Sequence, residues 1–165
     1  MKHFQLSEFT RSETAKKLKI DNTPTELHKQ HIEELVRDLL DPLREAWAIE
    51  CANEHYGTPA IFVSSGYRSE AINRASPRAS KTSAHCVGWA ADLVPLNGRL
   101  LEFKRFARKW LEKRGGFDQM ISESEDRNGT PEWVHIGLKA RNGRQRGEFL
   151  SSPVWAKGGY IEMTR

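Results

Sequence analysis

The chain has 165 residues, of which 38% are apolar and 29% charged, a balance that is ordinary for a soluble globular protein and excludes a disordered one. Lys and Arg exceed Asp and Glu to give a formal net charge of +4, which suits an anionic partner without selecting one. The sequence has no stretch of about 20 apolar residues that would span a bilayer, no secretory signal and no nucleic-acid fingerprint. We therefore expect a protein made in the cytoplasm, with no membrane span and no nucleic-acid partner.

The first third of the chain predicts helices. From Glu26 to about Tyr56, apolar residues recur at three- and four-residue steps, which is typical of an amphipathic helix. Asp41-Pro42 predicts a kink or a restart within it, because proline lacks the amide hydrogen that a helix interior needs. Residues 57–59 end the helix, and the apolar run 60–63 predicts a buried strand.

The remaining two thirds predict alternating helices and strands. These elements are a short helix from Arg68 to Ala75, a strand from Trp89 to Val94, a helix from Leu100 to Glu112, and strands over 117–121 and 133–138 joined by an acidic loop over 122–130. The tail from Arg141 is basic and predicts no clear element before Tyr160 to Met163.

These elements predict one α+β domain over residues 1–165, in which N-terminal helices pack on a small mixed or antiparallel sheet. We divide it into a helical part over about 1–57, a core carrying the candidate site over about 58–140, and a basic tail over about 141–165.

The first candidate site segment sets His85 at the end of a loop and Asp92 seven residues later, inside the predicted strand 89–94. The apolar neighbours of Asp92 indicate that this strand is buried on at least one side. A buried carboxylate without a partner is costly, and a metal ion is one such partner. A salt bridge or a turn at the strand end is the ordinary alternative.

The second segment places His135 in an apolar strand, with Glu132 three residues before it. Two histidines and one carboxylate form a common ligand set of hydrolytic zinc sites, which leaves a fourth position for water. Such a site also needs a carboxylate that does not bind the metal and takes a proton from the water, and Glu132 is the natural candidate. Singly, a histidine is more often a hydrogen-bonded structural residue, and Glu132 a solvated loop charge.

Arg68 follows the first predicted strand directly, where its fixed positive charge suits an oxyanion that develops during hydrolysis. Its ordinary alternative is a pair with a nearby carboxylate. Together, the three ligands, the base and the arginine form a complete set of catalytic roles, which is the reason to favour the functional interpretation of each.

Three motifs then carry a resemblance to a known family. Ser83-x-His85-x-x-Gly88-x-Ala90-x-Asp92, followed by Glu132-x-x-His135 and preceded by Ser65-Gly66-Tyr67-Arg68-Ser69, resembles the motif set of the D-Ala-D-Ala carboxypeptidase and dipeptidase family of zinc peptidases. That family includes phage L-alanyl-D-glutamate endopeptidases and shares its fold with the signalling domain of Hedgehog proteins. The order and approximate intervals agree over residues 60–138, and the segments 6–9 and 41–44 resemble a phage and prophage branch.

The resemblance implies zinc as the cofactor, with His85, Asp92 and His135 as its ligands, Glu132 as the general base and Arg68 as the group that binds the substrate and stabilises the transition state. It implies a substrate or ligand-orienting contact for Ser83 and, more weakly, for Gln119, which lies in a strand next to the site. Tyr67 and Trp133 are further candidates for substrate contact, although core packing is their ordinary alternative. Cys86 matches no required family residue and is expected to be a small buried side chain.

The implied substrate is a peptidoglycan stem peptide, cut by a monomeric peptidase either between L-Ala and D-Glu or at a terminal D-Ala-D-Ala bond. Without a secretory signal, action on the wall implies release of the phage type, which favours an endopeptidase. The alternative from another class is a catalytically silent, zinc-containing wall-binding or virion module, because fold alone does not determine function. Retention of both Glu132 and Arg68 disfavours this alternative.

Overall fold

A computed structural model of the protein describes residues 1–76, 79–156 and 159–163. The helical elements are α1 (Leu6–Thr10), α2 (Glu13–Leu18), α3 (Glu26–Leu35), a π-helical turn (Val36–Leu40), α4 (Asp41–Asn53), α5 (Glu70–Ala75), a 3-10 turn (Ala84–Val87) and α6 (Leu100–Arg114). The strands are β1 (Ile61–Ser65), β2 (Ala90–Pro95), β3 (Gln119–Glu125), β4 (Trp133–Gly137), β5 (Glu148–Pro153) and β6 (Ile161–Glu162). Within the predicted tail, residues 157–158 and 164–165 lie outside the described residues.

The six strands form one sheet in the order β1-β2-β4-β3-β5-β6. All neighbouring strands are antiparallel except β3 and β5, which are parallel. The predicted α+β fold with a mixed sheet is therefore confirmed. No helix of the described residues is long and apolar enough to cross a membrane.

Side-chain alternation gives the sheet two different faces. In β2 and β4 the core positions are Ala91, Leu93, Val134 and Ile136, all fully buried and part of one hydrophobic cluster. Successive side chains of a strand point to opposite faces, so Asp92 and His135 lie on the other face. The helices pack against the apolar face of the sheet, and the polar side chains Asp92 and His135 lie on the opposite face.

The core is built largely from α3, α4 and α6. Trp47 of α4 is fully buried and meets Phe103 of α6 edge to face, with ring centroids 5.2 Å apart. An edge-to-face aromatic pair adds about 1 kcal/mol to the stabilisation from its buried area. This contact joins α4 to α6 within the hydrophobic core.

The long N-terminal helix is interrupted where the sequence predicts it. Val36–Leu40 form a π-helical turn between α3 and α4, and the Asp41 amide donates to the Val36 carbonyl five residues earlier. Pro42 has no amide hydrogen, and its ring crowds the carbonyl four residues before it. The wider π turn accommodates both effects.

Two expectations about the second half of the sheet are wrong. The predicted acidic loop 122–130 is strand as far as Glu125, because Ser122 and Glu123 pair with β4 on one side and with β5 on the other. The predicted tail contains β5, which the sequence analysis did not identify. Pairing on both edges of β3 supplies backbone hydrogen bonds that outweigh the weak β-propensity of Ser and Glu.

Gly66 lies just beyond β1 at a close approach of two backbones. A Cβ at this position would lie 2.5 Å from both the Cα and the carbonyl oxygen of Phe9. The next amide, that of Tyr67, donates to the same Phe9 carbonyl at 2.7 Å. Any side chain here would separate α1 from the end of β1.

We expect Gly66→Ala to lower the free energy of unfolding by about 2 kcal/mol, because the added methyl group meets backbone that cannot rotate away. Gly137→Ala is the matched control, since its Cβ would meet its nearest neighbour at an ordinary 3.7 Å. Chemical denaturation of both variants measures the difference. Equal losses at the two positions would show that the approach to Phe9 is not tight.

Candidate functional site

On the polar face of the sheet, Asp92 of β2 and His135 of β4 lie directly opposite each other. β2 and β4 pair in a register that makes Asp92 and His135 partners across the ladder. His85 reaches the same place from the 3-10 turn that precedes β2. The sequence predicted these three residues as a group, and the structure brings them together.

The 3-10 turn needs a glycine at its end. Gly88 has φ +84°, and a Cβ there would lie 2.7 Å from the His28 carbonyl oxygen. Only glycine adopts this conformation without strain and allows α3 to approach so closely. Gly88 therefore fixes the path by which the chain passes from His85 into β2.

The three side chains offer one triangle of donor atoms. Asp92 Oδ1 lies 2.9 Å from His135 Nδ1 and 3.3 Å from His85 Nε2, and the two nitrogens are 3.1 Å apart. Ligands about 2.0–2.1 Å from a tetrahedral zinc ion are separated by about 3.3 Å. The triangle is close to this size, so the three residues fit a divalent metal ion. Among the described residues, they form the cluster of His, Cys, Asp or Glu side chains that could hold one.

A backbone contact orients His85 for such a role. Its Nδ1 lies 2.6 Å from the Gly66 carbonyl oxygen, which only accepts hydrogen bonds. Nδ1 therefore carries the hydrogen, and the lone pair of Nε2 faces Asp92 and His135. Orientation of a ligand histidine through its second nitrogen is a general feature of metal sites.

Burial and charge decide the ionisation of this group. Burial alone raises the pKa of Asp92, but the adjacent imidazoles of His85 and His135 more than offset it, and its pKa lies well below the ordinary value. Burial also lowers the pKa of His85, an effect that Arg68 and His135 strengthen and Asp92 opposes. The site thus presents a carboxylate and at least one neutral imidazole, the protonation states that bind a metal ion.

A cavity of about 560 Å³ opens over the triangle, a size that suits a ligand of several residues. It is lined by residues from many elements, among them Arg68, Ser83, His85, Asp92, Gln119, Glu123, Trp133, His135, Arg146, Ser152 and Tyr160. The predicted contact residues Ser83, Gln119 and Trp133 all line it. Gln119 is held by Glu148, whose Oε2 accepts from Nε2 at 2.7 Å.

Arg68 lines the same cavity and is poorly satisfied by the protein. Its Nε is buried and has no hydrogen-bond partner among the described residues. A buried guanidinium donor without a partner is costly, unless a ligand accepts from it. The arrangement suits an anionic or carbonyl oxygen of a bound substrate.

Besides Asp92, the carboxylate that lines the cavity among the described residues is Glu123, whereas the sequence predicted Glu132 as the base. Glu132 is exposed at the start of β4 and does not line the cavity. Glu123 pairs with Trp133 across β3 and β4, and both side chains line the cavity. Burial raises the pKa of Glu123, with His135 acting against this and Asp92 adding to it.

Tyr67 lies elsewhere. It is 5% exposed and part of the hydrophobic cluster, and its hydroxyl oxygen contacts His28 Nδ1 at 3.2 Å. It does not line the cavity, so the structure places it with the core. Cys86 is also buried.

Sequence reasoning missed Glu123, Ser152, Tyr160 and Arg146, which all line the cavity. The sequence predicts a loop at Glu123, and a loop has no side-chain alternation that would turn this residue to the same face as Asp92. Arg146 forms a bidentate pair with the buried Asp118, at 2.6 Å for both contacts. No local sequence pattern predicts that residues in or beside β5 and β6 line the cavity.

Comparison with known proteins identifies the family. A family model described as Peptidase M15 matches residues 2–136, which is more than half of the chain and includes His85, Asp92 and His135. No curated protein and no solved structure matches the chain. The chain is therefore a member of the Peptidase M15 family, a peptidase whose His-Asp-His cluster is able to hold a metal ion.

Proposed function

We propose that the protein is a zinc peptidase that hydrolyses peptide bonds in peptidoglycan stem peptides. The observation that carries the proposal is the triangle of His85 Nε2, Asp92 Oδ1 and His135 Nδ1 at separations of 2.9–3.3 Å, at the base of a cavity. Two imidazoles and one carboxylate favour zinc over magnesium or calcium, which prefer all-oxygen sites. When bound, zinc supplies Lewis-acid activation of a water molecule and of the substrate carbonyl.

We assign the general base to Glu123. It lines the cavity with the three ligands, and its raised pKa brings it closer to the pH at which it exchanges protons with water and with the leaving amine. The motif-based assignment to Glu132 stays as the alternative prediction, because the residue lies three positions before His135 and next to Glu123, whose carbonyl oxygen accepts from the Glu132 amide at 2.9 Å.

Arg68 is assigned to the substrate. Arg68 lines the cavity in which a tetrahedral oxyanion would develop, and its buried Nε has no hydrogen-bond partner among the described residues. A fixed guanidinium that requires no reorganisation stabilises such a charge.

The shape of the cavity favours an endopeptidase. Its lining extends from β2 across β4, β3 and β5 to Tyr160 beside β6, which is four strand spacings or about 19 Å. An extended peptide of about five or six residues fits this length. This supports cleavage within a stem peptide, such as the L-Ala-D-Glu bond, and hence a lysin of the phage type, over removal of one terminal D-Ala.

The alternative of a catalytically silent wall-binding or virion module is less favoured. A silent zinc site has no need of a second carboxylate and a guanidinium in the same cavity, yet both Glu123 and Arg68 are present. Zinc loading without turnover of wall peptides would support that alternative.

The first prediction concerns the metal. After dialysis against zinc, the protein is expected to hold about one zinc ion per chain by elemental mass spectrometry, and His135→Ala is expected to lose it because a ligand is removed. His55→Asn, a change at an exposed histidine with φ 56°, is the matched control and should keep the zinc. Retention of zinc by His135→Ala would place the metal elsewhere.

The second prediction concerns the base and the bond. Mass spectrometry of purified peptidoglycan treated with the protein is expected to show stem peptides cut between L-Ala and D-Glu. Glu123→Gln should keep zinc but lower kcat about 100-fold or more, because proton transfer is lost. A full loss in Glu132→Gln with little loss in Glu123→Gln would restore the motif-based assignment. Unchanged peptidoglycan would contradict the proposed function.

The third prediction concerns Arg68. Arg68→Met is expected to lower kcat/KM by about 100-fold, since one oxyanion-stabilising group is removed, while zinc content stays at the parent level. Arg74→Met removes an exposed arginine from the nearby helix α5 and serves as the control. Similar steady-state kinetics for the two variants would rule out a substrate role for Arg68.

A further inference from the structure

The chain beyond the family match reaches back into the site. The match ends at residue 136, and the described residues that follow it contribute β5 and β6 to the sheet. From this segment Arg146, Ser152 and Tyr160 line the cavity. Nothing in the family match assigns a role to these residues.

Tyr160 is held in place by the residues that follow it in the chain. β6 pairs with β5 through Ile161 opposite Ser151, and the Met163 amide donates to the Phe149 carbonyl at 3.0 Å. Met163 is 2% exposed and belongs to the hydrophobic core. The segment is thus anchored on the C-terminal side of Tyr160, while Tyr160 itself stays 54% exposed at the cavity.

The strand registers bring Tyr160 into line with Glu123. Glu123 is opposite Ser152 in the β3–β5 pair. One further step of the β5–β6 register, which pairs Leu150 with Glu162 and Ser151 with Ile161, places Tyr160 opposite Ser152. Glu123, Ser152 and Tyr160 therefore form a row across the sheet, and the Tyr160 hydroxyl donates to Glu123 Oε1 at 3.3 Å.

We propose that Tyr160 is a positioning residue of the active site, whose hydroxyl holds the Glu123 carboxylate in place over the metal ligands. A glutamate side chain has three rotatable torsions and loses considerable rotamer freedom when it is fixed. A donor beside β6, which reaches Glu123 across β5, restricts that freedom without adding a charge. This proposal rests on the proposed function, because it assigns the base to Glu123.

The electrostatics of the pair agree with this arrangement. Burial raises the pKa of Tyr160 to about 12, and the charge of Glu123 and the hydrogen bond to it add to the effect. The phenol thus remains a donor at any pH at which the enzyme works. In return, the hydroxyls of Tyr160 and Ser152 lower the pKa of Glu123, against the larger effect of burial.

The test uses the full-length, zinc-loaded protein and Tyr160→Phe, which removes only the hydroxyl. We expect kcat to fall about tenfold, with KM nearly unchanged, since a hydrogen bond to a charged group is lost. Tyr56→Phe removes a phenol hydroxyl outside the cavity and is the matched control. In a Glu123→Gln background, Tyr160→Phe should have little further effect, because residues that act through one another are not additive. An equal loss in both backgrounds, or no loss in the parent, would overturn the proposal.

A second readout requires no activity. In the metal-free protein, the difference in phenolate absorbance between the parent and Tyr160→Phe isolates the titration of Tyr160. We expect the pKa of Tyr160 to be lower in Glu123→Gln than in the parent, because the charge of Glu123 and the hydrogen bond to it are reduced while the effect of burial remains. Identical titrations would show that Tyr160 and Glu123 do not interact, whether or not the protein is a peptidase. If instead the parent cleaves no wall peptide but the titrations differ, the proposed function fails while the contact stands.

Discussion

The pairing of Asp92 with His135 across β2 and β4 is the contact on which the site depends. The register puts a carboxylate that is 8% exposed beside two imidazoles, with donor atoms 2.9–3.3 Å apart. An unpaired charge at such a place costs several kcal/mol, so the fold needs a cation or hydrogen-bond donors at this point. A register slip of one residue would turn Asp92 into the apolar core and remove the site altogether.

The rest of the structure serves this register in two ways. The helices bury the opposite face of the same strands through Ala91, Leu93 and Val134, which makes a slip costly. The turn that ends at Gly88 and the carbonyl of Gly66 then bring His85 to the two strand residues with its second nitrogen already engaged. The stability of the fold and the geometry of the His-Asp-His cluster therefore depend on the same strand alternation.

The sequence alone was sufficient to predict the His-Asp-His cluster and insufficient to predict its surroundings. His85, Asp92 and His135 were predictable because each lies in a local apolar pattern with a recognisable spacing. The interruption of the helix before Pro42 was predictable for an equally local reason, the missing amide hydrogen. In contrast, Glu123 and Tyr160 enter the site through pairing between strands distant in sequence, and the polar segment 122–125 has weak strand propensity. Tyr67 is the opposite case: its place in a motif made it a candidate for substrate contact, but its ring belongs to the hydrophobic core.

The central claim is that His85, Asp92 and His135 hold the metal and leave a position open to solvent. X-ray absorption at the zinc edge on the loaded protein tests it most directly, because it reports the ligand atoms themselves. The account predicts four nitrogen or oxygen neighbours at about 2.0–2.1 Å, with an imidazole scattering pattern from two histidines. A sulfur neighbour at about 2.3 Å would contradict this claim, because it would show that the metal has a different set of ligands. Cys86, which is buried and next to His85 in the chain, could supply such a sulfur.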